Sequence, residues 1–257
     1  MTQADRLQAV AAGATTGLLG GLLGVGGGMV LIPLLTERFG FTQHQAHGTS
    51  LAVIGATALA SLVVYGAASH VDWAVALPVA LASVVTAPLG ARLASRISPL
   101  GLRRGFAVLL ALVGMRMLWQ PWAPGPSLFG HGLAALPFDL VLGAAVGLLA
   151  GFMGVGGGSL AVPAMTLLLG MSQPTAQGTS LAVILVTAPA GAFEHHRQGN
   201  VVWRWVPMLA LGAALGAPLA SWLAQRLPVE VLVRTFALFV LISAALMWVR
   251  SRPPVAR

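Results

Sequence analysis

Apolar residues along this chain fall into eight long blocks separated by short polar stretches. The blocks span residues 7–36, 43–67, 73–95 and 102–119 in the first half, and 138–168, 175–194, 201–224 and 231–249 in the second. Because about 20 apolar residues cross the hydrocarbon core of a bilayer, the last three blocks of each half predict single transmembrane helices. The first block of each half is too long for one upright span. The pattern predicts an all-α polytopic membrane protein.

Composition supports lipid as the solvent. Of the 257 residues, 57% are hydrophobic and only 8% are charged, too few charges to cover the surface of a soluble domain. The net charge of +8 comes from arginine alone, and the arginines flank the apolar blocks, which argues against a nucleic-acid partner. The chain has no cysteine, so disulfides and thiolate metal sites are excluded. We expect no cofactor and no metal.

The two halves repeat each other at an offset of 130 residues. Gly-Thr-Ser-Leu-Ala-Val-Ile occurs at 48–54 and again at 178–184, and Gly-Val-Gly-Gly-Gly occurs at 24–28 and 154–158. One offset across most of each half indicates a duplicated unit, the usual construction of secondary transporters. We predict a first membrane repeat over residues 1–119, a Pro/Gly-rich linker over 120–137, a second membrane repeat over 138–250 and a short basic tail over 251–257.

Three consecutive glycines cost roughly 1 kcal/mol each in a helix interior relative to alanine, so the first helix of each repeat should break at them. It then forms either one tilted, broken span or a re-entrant hairpin. A hairpin inverts the second repeat and places eleven arginines on one side, leaving Arg116, Arg226 and Arg234 opposite. Eight single spans would divide the arginines evenly. The positive-inside rule therefore favours inverted repeats, with both termini cytoplasmic in the inner (plasma) membrane.

The glycine runs also predict a binding site. Small residues at every fourth position, as in Gly20, Gly24 and Gly28 or in Gly143, Gly147 and Gly151, only require close helix packing. Consecutive glycines need a further reason, and they leave backbone N–H groups free at the start of a half-helix, where an anion binds well. We expect the two turns to meet near the bilayer midplane and to contribute these residues to a substrate site: Gly24, Gly26, Gly27, Gly28, Gly154, Gly156, Gly157 and Gly158.

Polar side chains beside the glycine runs extend this site. The pairs Thr49–Ser50 and Thr179–Ser180 follow the turns, where their hydroxyls either cap a helix or bind an oxyanion. His47 and its counterpart Gln177 complete the candidate set. We expect His195 and His196 to be solvated at the interface. No acidic residue lies well inside a predicted span, so the available donors favour an anion over a cation.

A Gly-x-Gly-Gly-Gly block, a nearby proline and then Gly-Thr-Ser-Leu, all repeated, resembles the TauE/SafE-type sulfite exporter family of membrane transporters. The resemblance covers about residues 17–248. It implies transport of sulfite, a sulfonate or a related small sulfur anion, with the duplicated glycines, threonines and serines as the matching positions. Rocking of one repeat against the other would then give alternating access.

The sequence is also compatible with two other functions. One is an intramembrane hydrolase using Ser50 or Ser180 with a histidine, although the serines are duplicated and the histidines are not. The other is a non-transporting membrane scaffold held together by small-residue packing. The expected partners are a small anion and the lipid bilayer; the oligomeric state stays open, a homo-oligomer included.

Overall fold

The computed structural model describes residues 2–94, 99–119, 127–129 and 134–249. The elements in these ranges are all helices. The first repeat contains α1 (Gln3–Leu23), α2 (Gly28–Glu37), α3 (Gln43–Ala67), α4 (Trp73–Ala94) and α5 (Pro99–Trp119). The second contains α6 (Leu136–Met153), α7 (Gly158–Leu168), α8 (Gln173–Arg197), α9 (Val206–Ala224) and α10 (Val229–Val249). The helices α3, α4, α6, α8, α9 and α10 are long and apolar enough to cross a membrane.

The helices correspond pairwise between the repeats. Adding 130 to the first residue of α2, α3 or α4 gives a position at or near the start of α7, α8 or α9. The first apolar block of each repeat is divided into a long and a short helix, as the glycine runs predict. The short helices α2 and α7 have 10 and 11 residues, about 15–17 Å of helix, roughly half the hydrocarbon thickness.

The break between α1 and α2 is a hairpin and not a bend in one tilted span. α1 ends at Leu23, and a Cβ atom placed on Gly27 would collide with the backbone of Thr16, two turns earlier in α1. The chain therefore reverses direction and returns alongside α1. Val146 and Gly157 contact each other at the equivalent place in the second repeat. The re-entrant alternative is confirmed in both repeats.

The contacts between α3 and α8 give the relative orientation of the repeats. Gly48, near the start of α3, packs on His195 at the end of α8, whereas Gly178, near the start of α8, packs on Tyr65 at the end of α3. Equivalent helices thus run antiparallel, which is the geometry of inverted repeats. α4 runs parallel to α8, since Ser83 meets Thr187 and Arg92 meets Glu194.

These directions divide the arginines as the positive-inside rule predicts for inverted repeats. One side of the molecule holds the starts of α1, α3 and α9 and the ends of α2, α4 and α8. It carries Arg6, Arg38, Arg92, Arg197 and Arg204, and we call it the arginine-rich side. The opposite side holds the end of α9, with Arg226.

The repeats interlock through glycine. α1 lies parallel to α9, and side chains on Gly13, Gly17 or Gly21 would collide with the α9 backbone. α6 lies against α4 in the same way through Gly143, Gly147 and Gly151, which confirms the packing interpretation there. In the first repeat, Gly20 packs on the glycine turn and on Thr57 of α3, and Gly24 packs on Gln177 of α8, whereas Gly28 faces Val155 of the other turn.

An ion pair adds to this interlocking on the arginine-rich side. The Arg92 guanidinium on α4 donates two hydrogen bonds to the Glu194 carboxylate on α8, with Nε–Oε1 at 3.0 Å and Nη2–Oε2 at 3.3 Å. The Glu194 side chain is 9% exposed and that of Arg92 is 53% exposed. The pair joins the two repeats, and such bidentate geometry is the stronger form of an arginine–carboxylate interaction.

Most of the predicted linker, and the predicted basic tail, lie outside the described residues. The described part shows that α6 begins at Leu136, two residues before the predicted boundary. Within the linker, Phe129 stacks on Phe138 of α6 with ring centroids 4.1 Å apart, and Leu128 N–H donates to Leu168 O at 2.9 Å. This stretch therefore packs on the second repeat.

Candidate functional site

The two glycine turns are in direct contact between the repeats. A Cβ atom built on Gly28 would lie 2.8 Å from Cα of Val155, and one built on Gly158 would lie 2.7 Å from Cα of Val25. These distances are shorter than any ordinary carbon–carbon contact, so only glycine fits at either position. Since each repeat contributes one turn, the turns meet on the pseudo-twofold axis that relates α3 to α8.

The backbone of the turns explains the remaining glycines. Gly24, Gly26 and Gly27 have φ values of +69°, +76° and +84°, and their counterparts Gly154, Gly156 and Gly157 have φ values of +70°, +86° and +79°. This left-handed region is sterically unfavourable for residues with a Cβ atom. The turns lead directly into α2 and α7, whose N-cap residues Gly27 and Gly157 have no side chain to accept a capping hydrogen bond.

Two helix N-termini therefore point at the centre of the molecule. The first N–H groups of a helix have no acceptor within the helix, and the helix dipole places partial positive charge there. Both effects favour an anion. The anion site at the glycine runs stays a prediction.

The centre between the turns is apolar and closed. A Cβ atom on Gly156 would lie 2.6 Å from Ile54 Cδ1, and one on Gly26 would lie 3.4 Å from Ile184 Cγ2. Ile54 and Ile184 are equivalent residues in the two repeats, and both are fully buried. They form an apolar barrier across the axis, which we call the isoleucine barrier.

The duplicated threonines connect the repeats. Thr49 Oγ1 accepts a hydrogen bond from Val202 N–H at 3.1 Å, and Thr179 Oγ1 accepts one from Asp72 N–H at 2.9 Å. Val202 and Asp72 are themselves equivalent positions, so the bond is made twice. The capping alternative for these hydroxyls is wrong, because Thr42 and Ser172 are the residues that cap α3 and α8.

The duplicated serines differ from the threonines. Ser50 and Ser180 are fully buried, and neither Oγ atom has a hydrogen-bond partner among the described residues. The serine oxygens thus lack the protein partner that the threonine oxygens have among the described residues. A serine hydrolase needs a histidine hydrogen-bonded to the nucleophile, and no such bond is made by either serine within the described part of the chain.

His47 and Gln177 hold equivalent places against the opposing turn. Gly154 packs on His47, and Gly24 packs on Gln177, and a Cβ atom added to either glycine would approach its neighbour to 2.5 Å. The Gln177 amide donates to Leu22 O at 3.3 Å, and the Tyr65 hydroxyl lies 3.1 Å from Gln177 Oε1. Gln177 is fully buried, whereas His47 is only half-buried.

The exposure of His47 follows from a cavity of about 100 Å³ on its side of the isoleucine barrier. Gln43, His47 and Ser243 provide the polar lining, and Val155 of the second glycine turn also lines the cavity. The apolar lining comes from α2, from the end of α6 and from α10: Met29, Ile32, Pro33, Phe152, Met153, Leu246 and Met247. Gln43 is exposed in the first turn of α3, so the cavity faces the arginine-rich side.

Among the predicted site residues, His47 is the one that lines this cavity. Sequence reasoning missed Gln43 and Ser243. Gln43 left a signal, because position 173 is also glutamine and the pair belongs to the 130-residue repeat. Ser243 left none, since its counterpart is Val113.

Of the two adjacent histidines predicted to be solvated, His196 is exposed and His195 is not. His196 is exposed and accepts a hydrogen bond from Trp203 Nε1 at 2.9 Å, as expected of an interfacial residue. His195 is fully buried, and its Nε2 lies 2.9 Å from Gly151 O at the end of α6. Its counterpart Tyr65 places a hydroxyl 3.2 Å from Gly21 O at the end of α1. Both side chains satisfy a carbonyl that the helix end leaves without a partner.

Comparison with known proteins gives one family. The family described as "Sulfite exporter TauE/SafE" matches residues 2–117 and 138–257, one segment for each repeat. A "Probable membrane transporter protein" of Xylella fastidiosa (strain 9a5c) is 31% identical over 245 residues, 94% of each chain. "Probable membrane transporter protein YunE" of Bacillus subtilis (strain 168) is 28% identical over 246 residues, 87% of this chain and 90% of the relative.

A shorter similarity extends to an archaeon. "Probable membrane transporter protein MJ0441" of Methanocaldococcus jannaschii is 32% identical over 124 residues, 44% of this chain and 46% of the relative. No solved structure gives a significant match. Because the family match covers both repeats and the bacterial relatives align along nearly the whole chain, this protein belongs to the TauE/SafE family of membrane transporters.

Proposed function

We propose that this protein is a secondary transporter of a small anion of the sulfite and sulfonate class, bound between its two repeats. The observation that carries the proposal is the meeting of two half-helix N-termini, at Gly28 and Gly158, on the axis between the repeats. Two positive helix ends at one point favour negative charge. The family description supports a sulfur oxyanion as the substrate.

The binding groups follow from the contacts. The turn amides supply N–H donors, and the buried hydroxyls of Ser50 and Ser180 supply donors without a protein partner among the described residues. His47 at the inner wall of the cavity is the first of these side chains that an anion meets. Thr49 and Thr179, also predicted as ligands, have their oxygens engaged by Val202 and Asp72.

The family and the six long apolar helices among the described residues support a multi-pass membrane location. We propose that this membrane is the inner membrane. The positive-inside rule places the arginine-rich side, and with it both termini, in the cytoplasm. The cavity at His47 then opens to the cytoplasm, and we propose that the anion is taken up there and exported. The isoleucine barrier separates it from the other side.

Packing argues against movement of one whole repeat over the other. α1 packs on α9 and α6 packs on α4 through backbone contacts at glycine, so each repeat is enclosed by helices of its partner. Rocking would break those contacts. We propose instead that α1, α3, α4, α6, α8 and α9 form a static frame, and that α2, α5, α7 and α10 move against it about the glycine turns.

Thermal stabilisation of the detergent-solubilised protein tests the anion site. Sulfite, sulfoacetate, thiosulfate, sulfate, phosphate and lactate are titrated in parallel, with Ser50→Ala/Ser180→Ala as the site variant and Thr15→Ala, at an exposed hydroxyl, as its control. We expect saturable stabilisation by a sulfur oxyanion that the site variant loses and the control retains. Equal stabilisation of all proteins, or of none by any anion, would contradict the site.

A further inference from the structure

The two sides of the isoleucine barrier are equivalent in sequence but differ in exposure. On the arginine-rich side, Gln43 is exposed and His47 is half-buried, and both line the open cavity. Their counterparts Gln173 and Gln177 are 2% and 0% exposed. The backbone contacts around them are equivalent, since His47 and Gln177 pack on the opposing turns in the same way.

The rest of the cavity lining shows the same contrast. Met29 and Pro33 are partly exposed at the cavity, whereas their counterparts Ser159 and Pro163 are buried. A duplicated protein with one cavity open and its equivalent closed is asymmetric in conformation while its fold is symmetric. The closed counterpart of the cavity is also polar, because Ser159, Gln173 and Gln177 lie there.

Gln173 is unusual among the residues of this closed counterpart because its side-chain amide is buried without a partner among the described residues. It is the first residue of α8, and neither its Nε2 nor its Oε1 has a hydrogen-bond partner among the described residues, although both atoms are buried. A buried amide without partners is unfavourable. Gln177, one turn later, satisfies its amide with Leu22 O and the Tyr65 hydroxyl. Among the described residues, nothing thus compensates for the burial of the Gln173 amide.

We propose that Gln173 is a substrate-contacting residue on the far side of the isoleucine barrier. In a second conformation the cavity at His47 is closed, and the Gln173 amide lines an equivalent anion-binding cavity that faces the opposite side. Its two N–H donors meet the oxygens of the anion, and Ser159 lies at the position equivalent to Met29. The proposal rests on the proposed transport function and assigns to it the residues of the second access path.

Single cysteines test the proposal, because the chain has none of its own. Gln173→Cys and Gln43→Cys form a matched pair at equivalent positions. Ala68→Cys, exposed beyond α3, marks the opposite side, and His44→Cys, exposed at the start of α3, marks the arginine-rich side. Ala188→Cys, fully buried, gives the rate of a residue that no path reaches. Each full-length variant is reacted in vesicles with a membrane-impermeant maleimide applied to one side at a time.

We expect Gln43→Cys to react rapidly from the side that labels His44→Cys. Gln173→Cys should react only from the side that labels Ala68→Cys. Its rate should be about 10- to 1,000-fold below that of Ala68→Cys, because a minor conformation is typically populated at 0.1–10%, and clearly above that of Ala188→Cys. Ser159→Cys, a nearly isosteric change, should show the same sidedness and replaces Gln173→Cys if that variant does not assemble.

Sulfoacetate then tests contact with the anion. We expect it to protect Gln43→Cys and Gln173→Cys from labelling and to leave both exposed controls unchanged. A Gln173→Cys rate equal to that of Ala188→Cys, or labelling from the His44 side, would overturn the second path. Correct sidedness without protection by sulfoacetate or any other anion of the panel would overturn substrate contact by Gln173. Anion stabilisation of the unmodified protein is read separately, so failure of the transport proposal is distinguished from failure of this one.

Discussion

Replacing Gly28 by alanine tests the contact between the two glycine turns directly. Gly28 does not have a positive φ, so an added methyl group acts through space and not through backbone strain. The new Cβ atom would lie 2.8 Å from Cα and 2.9 Å from O of Val155 in the other repeat. Carbon atoms pack best at about 3.5–4.0 Å, so the turns must separate by roughly 1 Å.

The size of the effect follows from two opposing terms. Overpacking in a tight interior typically costs about 1–3 kcal/mol, whereas alanine in place of glycine gains at most about 1 kcal/mol in helix propensity. We expect a net loss of about 1–2 kcal/mol in the free energy of unfolding. For a chain of this size that lowers Tm by about 2–8 °C. Gly158→Ala should behave alike, because its Cβ atom would lie 2.7 Å from Cα of Val25.

Thermal denaturation in detergent measures the change in Tm of Gly28→Ala, with Gly66→Ala as the matched control. Gly66 is also a helical glycine, but nothing lies within 4 Å of an added Cβ atom there. Its Tm should be unchanged or slightly raised. The anion-dependent increase in Tm should shrink in Gly28→Ala, because the two helix N-termini are pushed apart. A Gly28→Ala protein as stable as Gly66→Ala would refute the close contact of the turns.

Three further changes probe the contacts around this centre. Thr179→Val removes the acceptor of the partly buried Asp72 N–H and should cost about 1 kcal/mol, whereas Thr15→Val, at an exposed hydroxyl, should leave Tm nearly unchanged. Glu194→Gln breaks the inter-repeat ion pair and should lower Tm more than Glu230→Gln, whose pair with Arg234 lies within one helix and is exposed on both sides. Ile54→Ala opens a void in the isoleucine barrier; we expect a loss of about 2–5 kcal/mol and faster passive leak of the anion from loaded proteoliposomes.

Features repeated along the chain were the ones that sequence could predict. Duplication copied the glycine runs together with the apolar blocks, so the offset alone gave the helix pairs. The arginines then gave the inversion, because like-charged loops must share a side. The hairpin at Gly24–Gly28 followed from the number of crossings that this inversion requires.

Side-chain contacts with backbone groups far away in the chain could not be predicted in the same way. Thr49 bonds to Val202 and His195 to Gly151, across separations of 153 and 44 residues. Neither partner carries a motif, since one is a backbone N–H and the other a backbone carbonyl. The packing glycines Gly13, Gly17 and Gly21 were missed for a related reason: their spacing is visible, but the face they present depends on where α9 lies.

The proposed static frame makes a prediction that separates it from rocking of the repeats. Ser83 on α4 and Thr187 on α8 belong to different repeats, are both fully buried, and have hydroxyl oxygens 2.5 Å apart. The Ser83→Cys/Thr187→Cys pair should therefore form a disulfide, and no native cysteine competes with it.

If α4 and α8 both belong to the frame, this covalent link crosses no moving boundary. We expect the oxidised and reduced forms to transport the anion identified by stabilisation at the same rate in proteoliposomes, with link formation followed by gel mobility after internal proteolysis. Rocking of one repeat over the other requires α4 and α8 to separate or slide, so the oxidised protein would then be inactive and would recover on reduction. Such recovery would reject the static frame and would show that the two repeats move against each other during transport.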